Sequence, residues 1–229
     1  MACCSGCARY AEAERQFGPA IAARDLERYR RKGPDAASRL LLNALRDHVN
    51  SGVSLLDIGA GVGVLDFELL ANGARTATLV DASRAYLDAA GREAESRKVA
   101  DRLRCVVGDF APLAEGIEAA DVVTMHRVVC CYPDHASLLR AAVKHARRVF
   151  AFSYPRDRWY IRSWLALENV GRRLFGNPFR TFMHAPAAME ACVTQEGLVR
   201  THRSRTFVWS VDIYTRTKMS LSSHDPDHP

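Results

Sequence analysis

Five short apolar runs recur along the first two-thirds of the chain, at residues 53–58, 76–81, 103–107, 121–125 and 148–153. Each is four to eight residues long or close to it and rich in Val, Leu and Ile, which predicts buried strands. Between them the apolar positions return every three or four residues. This predicts helices over 63–71, 83–98 and 134–146, the second with Ser83 as its N-cap. Upstream, residues 9–31 read as one or two helices rich in Ala, Arg and Glu that end near Gly33-Pro34. Residues 36–49 read as another, with Leu40, Leu41 and Leu45 on one face. Strands that are apolar throughout and separated by helices predict a parallel sheet covered on both faces.

The pattern changes after residue 153. Residues 154–184 carry many aromatics and arginines and two proline breaks, and no element is assigned to them. A helix over 185–196 follows. Residues 198–203 and 206–214 alternate in polarity and lie close together, which predicts an antiparallel hairpin. The polar tail from Thr217 is expected to be disordered. No repeat or second domain is visible. The expected division is capping helices over 1–50, one α/β domain over 51–216 with an insert at 154–184, and a tail over 217–229.

Length and balance add limits. A chain of 229 residues suits one full-sized core. No apolar run reaches the length of a membrane span, and the N-terminus lacks the pattern of a signal peptide, so a cytoplasmic location without membrane contact is expected. The net charge of +6 comes almost entirely from arginine. It is not gathered into a block, and no nucleic-acid signature accompanies it, so no nucleic-acid partner is expected. The oligomeric state is not legible. Seven cysteines lack the spacing of a disulfide framework, which predicts reduced thiols. Cys3, Cys4, Cys7, Cys130 and Cys131 would make a thiolate metal site if the N-terminus folded over the sheet edge. Only one Cys-x-x-Cys spacing occurs, so buried thiols and no metal are the expectation.

The sharpest signal is the stretch LLDIGAGVGVLDFELLANGARTATLVDAS, residues 55–83. Gly59, Gly61 and Gly63 follow the first apolar run at alternate positions. Glycines at a strand–helix turn let backbone approach a ligand, and the helix that follows aims free N–H groups at it. Asp81, ending the next run, is suited to accept both hydroxyls of a ribose. Dinucleotide sites favour G-x-G-x-x-G, whereas position 64 is Val. Asp57, just before the glycines, would repel a pyrophosphate and favour a cationic ligand. Together these point to S-adenosylmethionine, whose sulfonium and amino group are both positive.

These residues resemble the class I S-adenosylmethionine-dependent methyltransferases. Leu56-Asp57-Ile58-Gly59-Ala60-Gly61-Val62-Gly63 is similar to their first motif and Val80-Asp81-Ala82-Ser83 to their second. Gly108-Asp109-Phe110 is similar to the third, where the acid lies near the adenine amino group. The resemblance implies a Rossmann-like, mostly parallel seven-stranded sheet that ends in an antiparallel hairpin. It also implies that residues 9–33, Tyr29 among them, cap the cofactor and that 154–184 shape the acceptor pocket. More distantly, Tyr132-Pro133, Ser153, Arg180 and His184 resemble the magnesium-protoporphyrin O-methyltransferases. Arg127 and Cys131 stand where that family tends to carry Asp and His.

Methyl transfer needs alignment more than a catalytic centre, because the leaving group is neutral. His126 and Arg127 end the fourth strand. His126 is a candidate base, titrating near about 6.5 if unperturbed, and Arg127 a candidate anchor for an anionic acceptor. His184 is a further candidate. The expected activity is methylation, by preference O-methylation, of a small aromatic or anionic acceptor. The alternatives are an RNA or protein methyltransferase, an NAD-dependent oxidoreductase, and a cofactor-binding module that turns nothing over.

Overall fold

The computed structural model describes residue 12 and residues 14–216. The expected tail and the cluster of Cys3, Cys4 and Cys7 lie outside the described residues. Two helices, α1 (Pro19–Lys32) and α2 (Ala36–Leu45), precede the first strand. Strands and helices then alternate: β1 (Ser54–Ile58), α3 (Val64–Ala71), β2 (Thr76–Asp81), α4 (Arg84–Ser96), β3 (Leu103–Val107), α5 (Phe110–Leu113), β4 (Ala120–His126), α6 (His135–His145) and β5 (Ala146–Pro155). Helix α7 (Trp159–Leu174) lies inside the insert, followed by α8 (Pro186–Gln195), β6 (Leu198–Arg205) and β7 (Trp209–Arg216).

The seven strands form one sheet in the order β3-β2-β1-β4-β5-β7-β6. The first five run parallel, and β7 enters antiparallel beside β5 and pairs with β6. Because side chains alternate across a strand, the central strands feed two cores. Leu56, Ile58, Val123, Met125, Phe150 and Phe152 pack with Leu138, Leu139 and Ala142 of α6 and Met189 and Val193 of α8. On the opposite face Leu55, Leu79, Val122 and Val149 pack with Leu41 and Leu45 of α2, Leu65 and Leu69 of α3, and Leu87 of α4.

Helix α1 lies against α4. The Tyr86 hydroxyl donates to Asp25 at 2.8 Å, and Arg30 donates to the buried Glu93 at 2.6 Å. Helix starts follow side-chain chemistry: Asp35 caps α2 by accepting from the N–H groups of Ala37 and Ser38, each at 3.0 Å. Ser83 caps α4 by accepting from Tyr86 N–H at 3.2 Å. The order places the ends of β1, β2 and β4 together, at the point where the connections switch direction and α/β sheets carry their ligands.

Candidate active site

Beyond that edge lies a cavity of about 620 Å³, within the range of small-molecule sites, roughly 300–1,000 Å³. Asp57, Gly59, Ala60, Gly61, Asp81, Ala82, Asp109 and Phe110 line it. So do Tyr29 and the pair His126 and Arg127. Tyr132 and Pro133 after β4, and Phe179, Arg180 and Phe182 of the insert, complete much of the wall.

The glycines of the β1–α3 turn separate into three uses. Gly59, Gly61 and Gly63 have φ of 71°, 58° and 80°, which side-chain-bearing residues rarely adopt. A Cβ on Gly59 would come within 2.2 Å of Val128 Cγ2, so this glycine lets the turn lock against the loop after β4. A Cβ on Gly63 would press on Phe67 at 3.0 Å, and Gly63 does not border the cavity. A Cβ on Gly61 meets nothing within 4 Å, so there the backbone lies bare to the cavity.

Asp81 is buried at the end of β2. One carboxylate oxygen accepts from Gly61 N–H at 2.8 Å and the other from Ser83 N–H at 2.7 Å. The acid therefore braces the glycine turn as well as facing the cavity. Burial pushes its pKa up to about 6 despite those two bonds. Asp57 accepts from Thr124 Oγ1 at 2.6 Å. Burial raises its pKa to about 7, and Asp66 of α3, raised well above the usual carboxylate range, hydrogen-bonds to it. Two carboxyls in one apolar setting share a proton instead of carrying two charges. Asp109 caps α5, accepting from Ala111 N–H at 3.4 Å and from the Tyr132 hydroxyl at 3.0 Å. Tyr29 borders the cavity, yet its hydroxyl donates to Glu68 at 2.7 Å and its ring stacks on Phe67. Both contacts hold α1 against α3.

At the end of β4 the two candidates differ. Ser153 Oγ accepts from Arg127 N–H at 3.0 Å and lies 2.8 Å from His126 Nδ1. The other ring nitrogen, Nε2, lies 3.2 Å from Ser38 Oγ, so each nitrogen faces a serine hydroxyl. Dense protein around the ring, and next the Arg127 charge, push the His126 pKa down to about 3. The titration expected near 6.5 is displaced for that reason, and neither ring nitrogen keeps a free lone pair. Arg127 adopts φ of 61°. Its guanidinium pairs with Asp35 at 2.7 Å and lies 4.9 Å from the Trp209 ring centre, while its buried Nε has no acceptor among the described residues.

His184 is not brought to the cavity. Its Nε2 lies 3.1 Å from the carbonyl of Val129 and 2.9 Å from that of Tyr132, which pins it behind the turn. Sequence reasoning missed Asp35, Ser38, Asp66 and Val128. Asp66 left a trace, an acid within the apolar run VLDFELL. Cys130 and Cys131 carry sulfurs 4.0 Å apart, and among the described residues no group of three or more His, Cys, Asp or Glu side chains is placed to hold a metal ion.

Residues 55–151, spanning β1 through most of β5, match the family model described as "Methyltransferase domain". Those residues are similar to a methyltransferase domain, and the seven-stranded sheet has the Rossmann-like fold of the class I methyltransferases. The cofactor of that class is S-adenosylmethionine. A comparison with curated protein sequences finds no match for this chain. Among solved structures it is similar to magnesium protoporphyrin IX methyltransferase from Synechocystis PCC 6803 with bound SAH, at 18% identity and a TM-score of 0.68, over 89% of this chain and 98% of that one. An O-methyltransferase family protein from Burkholderia thailandensis aligns at 18% identity and a TM-score of 0.60, over 80% and 58% of the two chains. A protein proposed to be an RNA methyltransferase from Pyrococcus horikoshii aligns at 17% identity and a TM-score of 0.57, over 82% and 86%. Likenesses this remote carry the fold of the methyltransferase, and its chemistry is argued from the site.

The site fits the cofactor. Bare backbone at Gly61 and the buried acid Asp81 suit a ribose-bearing ligand, and the anionic edge of Asp57 and Asp81 suits its positive groups.

Proposed function

We propose that the methyltransferase transfers a methyl group to a carboxylate oxygen of a small aromatic acid, with Arg127 as the anchor of the acceptor. The observation that carries this reading is the Arg127 Nε, buried at the cavity wall without an acceptor among the described residues. A buried donor left unmatched in the protein is a place for a ligand's acceptor atom. The bound cofactor supplies an electrophilic methyl carbon on a sulfonium and leaves as a neutral thioether. The chain's residues hold, orient and shield. Gly61, Asp81 and Ala82 hold the nucleoside, and Asp109 with Phe110 borders the base. Asp57 faces the positive end. Phe179 and Phe182 offer flat apolar wall to an aromatic ring and exclude water.

That His126 is not poised as the base agrees with this acceptor. His126 stays neutral above pH of about 3, and both its nitrogens are engaged with serine hydroxyls. A neutral hydroxyl or amine would need a base, whereas a carboxylate is ionised in solution and needs only alignment.

A screen of carboxylate, phenol and amine acceptors, with a transfer-RNA pool alongside, tests the reading by mass gain of one methylene. The expected product is an alkali-labile ester. Arg127→Lys should raise the acceptor's KM by about tenfold or more with kcat little changed, because an ammonium cannot replace the guanidinium fork. Methylation of an amine or of RNA, or an unchanged KM, would overturn it.

A further inference from the structure

Helix α7 is built the wrong way round for a helix that covers a core. Ile161 is its one buried residue. Its inward side is polar: Asn169 Nδ2 donates to the carbonyl of Thr181 at 2.7 Å, and Asn169 Oδ1 accepts from Thr181 N–H at 3.0 Å. Arg172 donates to Thr181 Oγ1 at 2.9 Å and pairs with Glu168 at 3.3 Å. The outward side is apolar. Trp159 is 78% exposed, Leu167 73% and Leu174 79%, with Trp164 and Val170 beside them. At 3.6 residues per turn these positions share one broad face. The β6–β7 turn extends it, since Tyr160 stacks on the exposed Phe207 at 5.2 Å.

The rim of this face is basic. Arg158, Arg162, Arg173 and, on the hairpin, Arg205 are exposed, and the nearby acids Asp157 and Glu168 are each paired, with Arg162 and Arg172. We propose that α7 lies in the plane of an anionic phospholipid surface and docks the protein there. An apolar ridge with tryptophan on it and arginines along its edge is the pattern of an interfacial helix. Tryptophan and arginine both favour the boundary, where apolar surface meets headgroups. Anionic lipid neutralises the rim, whereas a second copy of a chain of net charge +6 would bring like charges together. Among the described residues no helix is long and apolar enough to cross a membrane, and lying on one requires no span. The proposal rests on the face alone and is independent of the acceptor's identity.

The test uses the full chain with vesicles of phosphatidylcholine mixed with phosphatidylglycerol. The protein should sediment with them, bind pure phosphatidylcholine less and release in high salt. Tryptophan emission should move to shorter wavelength, since Trp159 and Trp164 are two of the chain's three tryptophans. The double variant Leu167→Asp, Leu174→Asp changes only exposed positions and should keep the melting temperature while losing at least about tenfold in vesicle affinity. A protein left in the supernatant would overturn the proposal. So would a double variant that binds as well as the parent, or a dimer that the variant dissolves.

Discussion

Asp57 carries an acid into a place that disfavours its charge. Its folded pKa of about 7 lies above the ordinary 3.8, mainly through burial. The folded state thus holds a proton that the unfolded state has released. By linkage this stabilises the fold at acid pH, and the benefit is lost as pH rises from 3.8 through about 7. His126 has the opposite sign: its folded pKa of about 3 lies below 6.5, so stability is lost as pH falls through 6.5. Asp57→Asn removes the first effect and leaves the second. The variant should melt above the parent when pH exceeds about 7, with the gap closing toward 3.8, as measured by calorimetry across pH. The same variant should bind the cofactor less tightly, because the charge that favours a cation is gone. A parallel pH dependence for both proteins would show that Asp57 does not titrate on unfolding.

At the scale of elements, the β1–α3 turn makes a sharper distinction than its glycine spacing alone. Gly61→Ala meets no atom but must hold a left-handed φ, a strain of roughly 1–2 kcal/mol, and its methyl enters the cavity. Gly59→Ala adds a collision with Val128. The first variant should fold and lose cofactor affinity. The second should melt lower still and disturb the loop carrying Arg127. Thermal melts with and without cofactor separate them, and equal melting points would remove the interlock. Strands β1 and β4 stand within one residue of where the apolar runs put them, because strands buried on both faces announce themselves as unbroken runs. Helix α7 was illegible for a physical reason: its apolar stripe does not face the core, and Pro155 and Pro178 on either side read as breaks. The Ser38–His126–Ser153 relay was equally hidden. Its members lie on α2, β4 and β5, and only the sheet order brings them together.

For the molecule as a whole, the sheet and its ligand edge were readable because one local motif, a strand, a glycine turn and a terminal acid, reports a long-range arrangement. The wall of the acceptor side was not, because it is assembled from α2, β4 and the insert. One contact across that wall governs how the cavity meets an anion. Asp35, the cap of α2, already offers Arg127 a carboxylate at 2.7 Å. The chain therefore carries a tethered mimic of its own proposed acceptor, and an incoming acid competes with it. Both side chains are about a third exposed, so the pair is worth about 1 kcal/mol at most. Self-competition of that size holds the apparent affinity for a carboxylate down by up to about fivefold. Asn keeps the cap of α2 while removing the charge. In Asp35→Asn, steady-state kinetics should show KM for acidic acceptors falling by up to that factor, while uncharged analogues bind as before.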